Sequence, residues 1–232
     1  MTHTLGARVL AELAGTTALV GIGTGAIVAG TRVGGVPQWE LAIAWFLAVA
    51  IPIQLFASVS GAHLNPAVTV GLVASRKFPK REVAPFVLAQ IGGAFLGSLV
   101  VLAVLGGASH LGATLPGSNG PVWIFPLEFT FTFLLILSVL YLAELSRPPS
   151  RVELLLPAVV VGVSTLLIGP WTGSSLNPAR SVAPAVLSGA YDWLWIYLGA
   201  TLLAAAIAAL GSAFARKAAR ARPVSSKGGP QL

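Results

Sequence analysis

Two stretches decide how this chain folds: Ser60–Thr69, SGAHLNPAVT, and Thr172–Ser181, TGSSLNPARS. They share Gly, Leu, Asn, Pro and Ala in register, and Asn177 follows Asn65 by 112 residues. Asn is a strong helix N-cap and Pro is favoured at the first helical position. Asn65, Pro66 and Ala67 therefore predict one helix start, and Asn177, Pro178 and Ala179 a second. The apolar runs that follow, Val68–Ala74 and Val182–Leu187, are too short to cross a bilayer, which takes about 20 residues. A single Asn-Pro-Ala is an ordinary capped helix start. Two copies in register mark an internal repeat.

Outward from these stretches the chain is apolar. Only 9% of its 232 residues are charged and its mean hydropathy is +0.86. Soluble domains carry about 25% charge, so lipid is the expected solvent. Six runs have the composition of spans: Val9–Ala29, Trp39–Val59, Val83–Gly106, Val122–Ala143, Glu153–Pro170 and Trp193–Ala215. Arg8 ahead of the first run resembles a signal peptide, but Glu12 lies inside it and the run is too long for a cleaved segment. Twelve of the fourteen Lys and Arg fall on one side of the spans: Arg8, the Arg76–Arg81 cluster, Arg147, Arg151 and the tail from Arg216 to Lys227. The opposite connection Gly106–Pro121 has none. The positive-inside rule then puts both termini in the cytoplasm, and a cell membrane is the expected location. It also accounts for the net charge of +7 without nucleic acid. Trp39, Trp123 and Trp193 lie near the outer ends, as interfacial aromatics do.

Three spans per half make the repeat an inverted one. Each short helix enters the membrane from a loop and returns to the same side, which irregular backbone tolerates only against protein or water. The inversion brings the two helix N-termini together near the midplane, where their dipoles oppose cations. The Asn65 and Asn177 amides can donate to one passing oxygen and interrupt proton relay. Such a pore passes neutral hydrogen-bonding molecules and blocks charge. Arg180 is a second bottom-up candidate, because a charge inside a membrane segment marks a pathway by default. The fold class is thus all-α: six transmembrane helices plus two re-entrant half-helices. One channel domain covers 1–215, with repeats at about 7–107 and 121–215, and a basic tail expected to be disordered covers 216–232.

At these residues the chain resembles the aquaporin / major intrinsic protein family over essentially its whole length. The resemblance rests on Ala11–Thr16, Ser60–Thr69, Ala89–Gln90, Glu128–Phe129 and Asn177–Ser181. It implies an hourglass fold, a homotetramer with one pore per subunit, and no cofactor or metal. It also implies a second, outer constriction. Carried over by offset, that constriction takes Arg180, Ser174 six residues before it, Thr165 fifteen before it, and Trp45 twenty before Asn65. Glu12 and Glu128 then hold loop N–H groups, and a proton relay is the alternative for two buried acids. His63 resembles the pore-lining histidine near the cytoplasmic end. Gln90 is expected to bond between helices, and Gly15, Gly21, Gly25, Gly92, Gly93 and Gly97 to let helices approach closely.

The resemblance leaves the solute open. Thr165 stands where water-selective members place His, and Ser181 where glycerol facilitators place Asp. Trp45 with Thr165, Ser174 and Arg180 implies an aperture wider than a strict water filter and more polar than a glycerol one. Water with small uncharged solutes is the expected traffic; a glycerol or metalloid-acid facilitator is the alternative. A secondary active transporter shares inverted repeats but needs intramembrane ion ligands. An enzyme would need a nucleophile–base pair or metal spacing such as H-E-x-x-H, and the three His and absent Cys supply neither.

Overall fold

The computed structural model describes residues 3–117 and 120–221, with side chains described to Phe214. Regular structure among them is helical: α1 (Leu5–Arg32), α2 (Gln38–Ser60), α3 (Pro66–Ala74), α4 (Val83–Leu105), α5 (Ile124–Glu144), α6 (Leu156–Thr172), α7 (Pro178–Ser188) and α8 (Leu194–Ala221). All but α3 and α7 are long and apolar enough to cross a membrane, six in number as expected. The half-helices α3 and α7 have 9 and 11 residues.

The ends differ from the sequence reading for local reasons. Helix α1 begins at Leu5 rather than Val9, because Thr4 caps it by accepting from the Ala7 N–H at 3.3 Å. Helix α8 runs to Ala221, six residues past the expected end, through Ala, Arg and Lys, which favour helix. The rest of the basic tail, with Arg222 and Lys227, lies outside the described residues. The connection Gly106–Pro121, which has no Lys or Arg, contains a turn at Ala108–Gly112, in which Ser109, His110 and Leu111 are all left-handed.

The repeat is visible in the packing. Helix α1 packs on α2 and α4 as α5 packs on α6 and α8, and α2 meets α6 at the junction of the halves. Half-helix α3 packs on α8, and α7 packs on α4. Each half-helix is thus held by the last span of the other half, and α3 touches α7. The α1–α4 seam is backbone against backbone. A methyl group at Gly97 would lie 2.6 Å from the Thr17 carbonyl and 2.8 Å from the Gly21 nitrogen. Gly93 faces the Leu13 carbonyl in the same seam. Gly15 does something else: it makes room for Leu64 of the first re-entrant loop.

The outer faces carry exposed apolar side chains such as Leu88, Val104, Leu167 and Leu210. The interior is where the polar groups are, among them fully buried Glu12, Gln90, Glu128 and Thr132. That inside-out polarity is what lipid as solvent requires.

Candidate functional site

The site begins with two helix ends. Helices α2 and α6 stop at Gly61 and Gly173, both left-handed at φ 93° and 76°, a conformation that costs glycine nothing. The loops then continue with left-handed Ala62 and Leu64 in one half, Ser174 and Leu176 in the other. A non-glycine residue in that conformation costs about 1 kcal/mol, so something must hold it.

The two buried glutamates do this. Glu12 accepts from His63 N at 2.9 Å, Leu64 N at 2.7 Å, Ser60 Oγ at 2.7 Å and Gln90 Nε2 at 2.8 Å. Glu128 accepts from Ser175 N at 2.8 Å, Leu176 N at 2.9 Å and Thr172 Oγ1 at 2.7 Å. Consecutive loop N–H groups turned to one side make an anion-binding concavity, and a carboxylate fills it in each half. Each carboxyl group thus accepts from two consecutive loop N–H groups and from at least one side chain.

The loops deliver the two Asn residues. Asn65 Oδ1 caps α3 by accepting from Ala67 N at 2.8 Å, and Asn177 Oδ1 caps α7 by accepting from Ala179 N at 3.0 Å. Their amides cross over: Asn65 Nδ2 donates to the Leu176 carbonyl and Asn177 Nδ2 to the Leu64 carbonyl, each at 2.8 Å. An amide NH₂ has two hydrogens, so each Asn ties the half-helices together with one and has the other to spare. Pro66 and Pro178 occupy the first helical positions, where a missing N–H costs nothing.

A cavity of about 700 Å³ runs past these ends. Its walls include Lys77, Pro148 and Arg151 on the basic side, then His63, Asn65 and Asn177, then Trp45 and Arg180. The Arg180 guanidinium sits over the Trp45 ring at 4.6 Å, and Nη1 donates to the Gly112 carbonyl at 2.8 Å. Its Nε and Nη2 are buried without a protein partner among the described residues. Gly23 leaves the space that the Trp45 ring occupies. Thr165 and Ser174 are both buried but are not in the cavity wall; Thr165 Oγ1 donates to the Val161 carbonyl at 2.9 Å and Ser174 Oγ lies 2.8 Å from Ser164 Oγ.

Several participants escape a reading of the sequence. The Gly112 carbonyl reaches Arg180 from the left-handed turn, which no local motif announces. Thr69 and Ser181 end the two repeats at equivalent places, and that was a legible signal. Thr69 Oγ1 lies 3.1 Å from His63 Nδ1 and accepts from Gln90 Nε2 at 2.9 Å. Ser181 Oγ lies 2.5 Å from Ser175 Oγ and 2.9 Å from Thr114 Oγ1. Gln90 thus bonds to Glu12 of α1 and Thr69 of α3. Arg8, read only as a topological charge, is buried against Glu82.

Known proteins show the same arrangement of sequence and fold. The model of the family "Major intrinsic protein" matches residues 2–211. A probable aquaporin, AqpM, of Archaeoglobus fulgidus is 39% identical over 207 residues, covering 79% of this chain and 84% of its own. Aquaporin NIP1-3 of Oryza sativa subsp. japonica is 34% identical over 200 residues, 85% of this chain and 70% of its own. The aquaglyceroporin of Plasmodium falciparum superposes with a TM-score of 0.79 at 27% identity, covering 89% of this chain and 95% of that one. The chain therefore belongs to the major intrinsic protein family, whose members are membrane channels rather than enzymes.

Proposed function

We propose that the chain is a passive channel for water and small uncharged solutes that holds back protons and ions. The observation that carries this is the pair of Asn amides at the facing ends of α3 and α7, each with one hydrogen left for the cavity. A water accepting from both is oriented with its hydrogens away from the centre, and the two helix N-termini add positive potential there. Both effects oppose proton relay while a neutral oxygen passes.

Trp45 and Arg180 form the outer constriction in this reading, with Thr165 and Ser174, the other two residues expected there, buried outside the cavity wall. The unpartnered Nε and Nη2 of Arg180 present donors to a solute, and Trp45 presents an apolar face. Similarity to proteins named aquaporins supports water. Similarity to an aquaglyceroporin supports a polyol as well. The chain works in the cell membrane as a homotetramer, with both termini in the cytoplasm, and needs no cofactor.

Stopped-flow light scattering on proteoliposomes tests the reading. Vesicles with the chain should shrink faster in sucrose than empty ones, and should re-swell in glycerol without any proton or sodium gradient. Shrinkage no faster than in empty vesicles would sink the water claim. Fast shrinkage without re-swelling would leave a water channel and remove the wide constriction.

A further inference from the structure

Arg8 lies one helical turn before Glu12 on α1 and is only 3% exposed. Its Nη1 donates to Glu82 Oε2 at 2.5 Å, and its Nε and Nη2 are buried without a partner among the described residues. The guanidinium carbon sits 5.5 Å from the Phe78 ring centroid and 5.1 Å from that of Phe86. Those rings lie 4.7 Å apart, and His63 touches both, at 4.7 Å and 5.1 Å. His63 and Phe78 in turn line the cavity. An unbroken set of contacts therefore leads from a buried ion pair to the cavity wall.

Stability is a poor reason for that pair. Burying two charges costs desolvation that their attraction repays only with full hydrogen bonding, and here two guanidinium nitrogens, Nε and Nη2, stay unpaired among the described residues. The second repeat shows that the fold manages without it. Four residues before Glu128, where Arg8 stands before Glu12, the chain has Ile124, fully buried against Ile196 and Tyr197.

We propose that Arg8 and Glu82 are positioning residues for His63, and so set the width of the cavity's basic-side mouth. The ion pair fixes a guanidinium that holds the two Phe rings by cation–π attraction, which strengthens when desolvated. The rings and Thr69 Oγ1 hold the imidazole, and Nε2 is the nitrogen left for a passing solute. Without the pair, Phe78 and His63 lean into the mouth and narrow it. This rests on reading the cavity as the conducting path.

The test uses the full chain in proteoliposomes, with permeability measured per inserted protein, for water or glycerol, whichever the unaltered chain passes. The double variant R8L/E82L copies the apolar solution of the second repeat. It should insert normally and lose about threefold or more in permeability, within the range of couplings between touching residues. His63→Ala should change permeability in the unaltered chain but not in R8L/E82L, and the swap R8E/E82R should recover part of the loss. Unchanged permeability in R8L/E82L, or an equal His63→Ala effect in both backgrounds, overturns the proposal. If R8L/E82L fails to insert, Arg8→Lys decides: it keeps the charge and loses the planar stack, so the His63→Ala effect should shrink, and an undiminished effect overturns the proposal. An unaltered chain that passes neither solute sinks the conducting-path reading itself, a different result from any of these.

Discussion

Glu12 and Glu128 show how an acidic side chain is held by loop backbone inside a membrane protein, away from the cavity wall. Each is fully buried and accepts from consecutive loop N–H groups and a hydroxyl. Truncating Glu12 to Ala strands four donors, each costing about 1–3 kcal/mol when left buried and unmet. Glu12→Ala should therefore lose insertion or lower the detergent melting temperature more than Glu12→Gln, which keeps one acceptor. A proton relay predicts instead that Glu12→Gln abolishes flux with stability intact. Arg180 works oppositely, with part of its guanidinium free. Its charge opposes a cation about 8 Å away by roughly 2 kcal/mol at an effective dielectric near 20. Arg180→Val should raise proton leak, read by a pH-sensitive dye in vesicles, by up to about 30-fold.

Half-helices α3 and α7 act as a unit because each Asn does two jobs. Asn65→Asp keeps the cap acceptor and loses the crossing donor to the Leu176 carbonyl. It also puts a carboxylate where two helix dipoles oppose cations. Cation conductance in planar bilayers should rise while the chain still inserts; unchanged exclusion would move the barrier away from the facing helix ends. The α1–α4 pair is limited by sterics instead. A methyl at Gly97 would meet the Thr17 carbonyl and the Gly21 nitrogen, so helices must separate. Gly97→Ala should cost about 1–3 kcal/mol, seen as a lower melting temperature, whereas Gly6→Ala, with open space around it, should not.

For the whole molecule, the two halves are alike in topology and unlike in detail. The first carries Arg8, Glu82, Gln90 and His63 around its loop, and the second carries apolar packing with Arg180. That asymmetry separates a basic-side mouth from the part of the cavity lined by Trp45 and Arg180. Chemistry across the chain also bears on inhibition. There is no cysteine, so a mercurial has no thiolate to bind, and permeability should be unchanged after its addition.

Six spans, two half-helices and their inverted relation were legible from sequence, because each depends on local composition, a capping dipeptide and the parity of crossings. The Asn pair and Arg180 were legible for the same reason: a strong cap repeated in register, and a charge where charge is costly. Other features depend on residues far apart in the chain, and only the tertiary structure decided them. Arg8 looked like any cytoplasmic charge until the fold placed Glu82 and two Phe rings around it. The Gly112 carbonyl reaches Arg180 only through three left-handed residues that no propensity favours. Thr165 and Ser174 stand at predicted offsets, but whether a hydroxyl faces a lumen or its own helix depends on rotamers and packing. Spacing along a helix specifies a face; the neighbours that share it specify the contact.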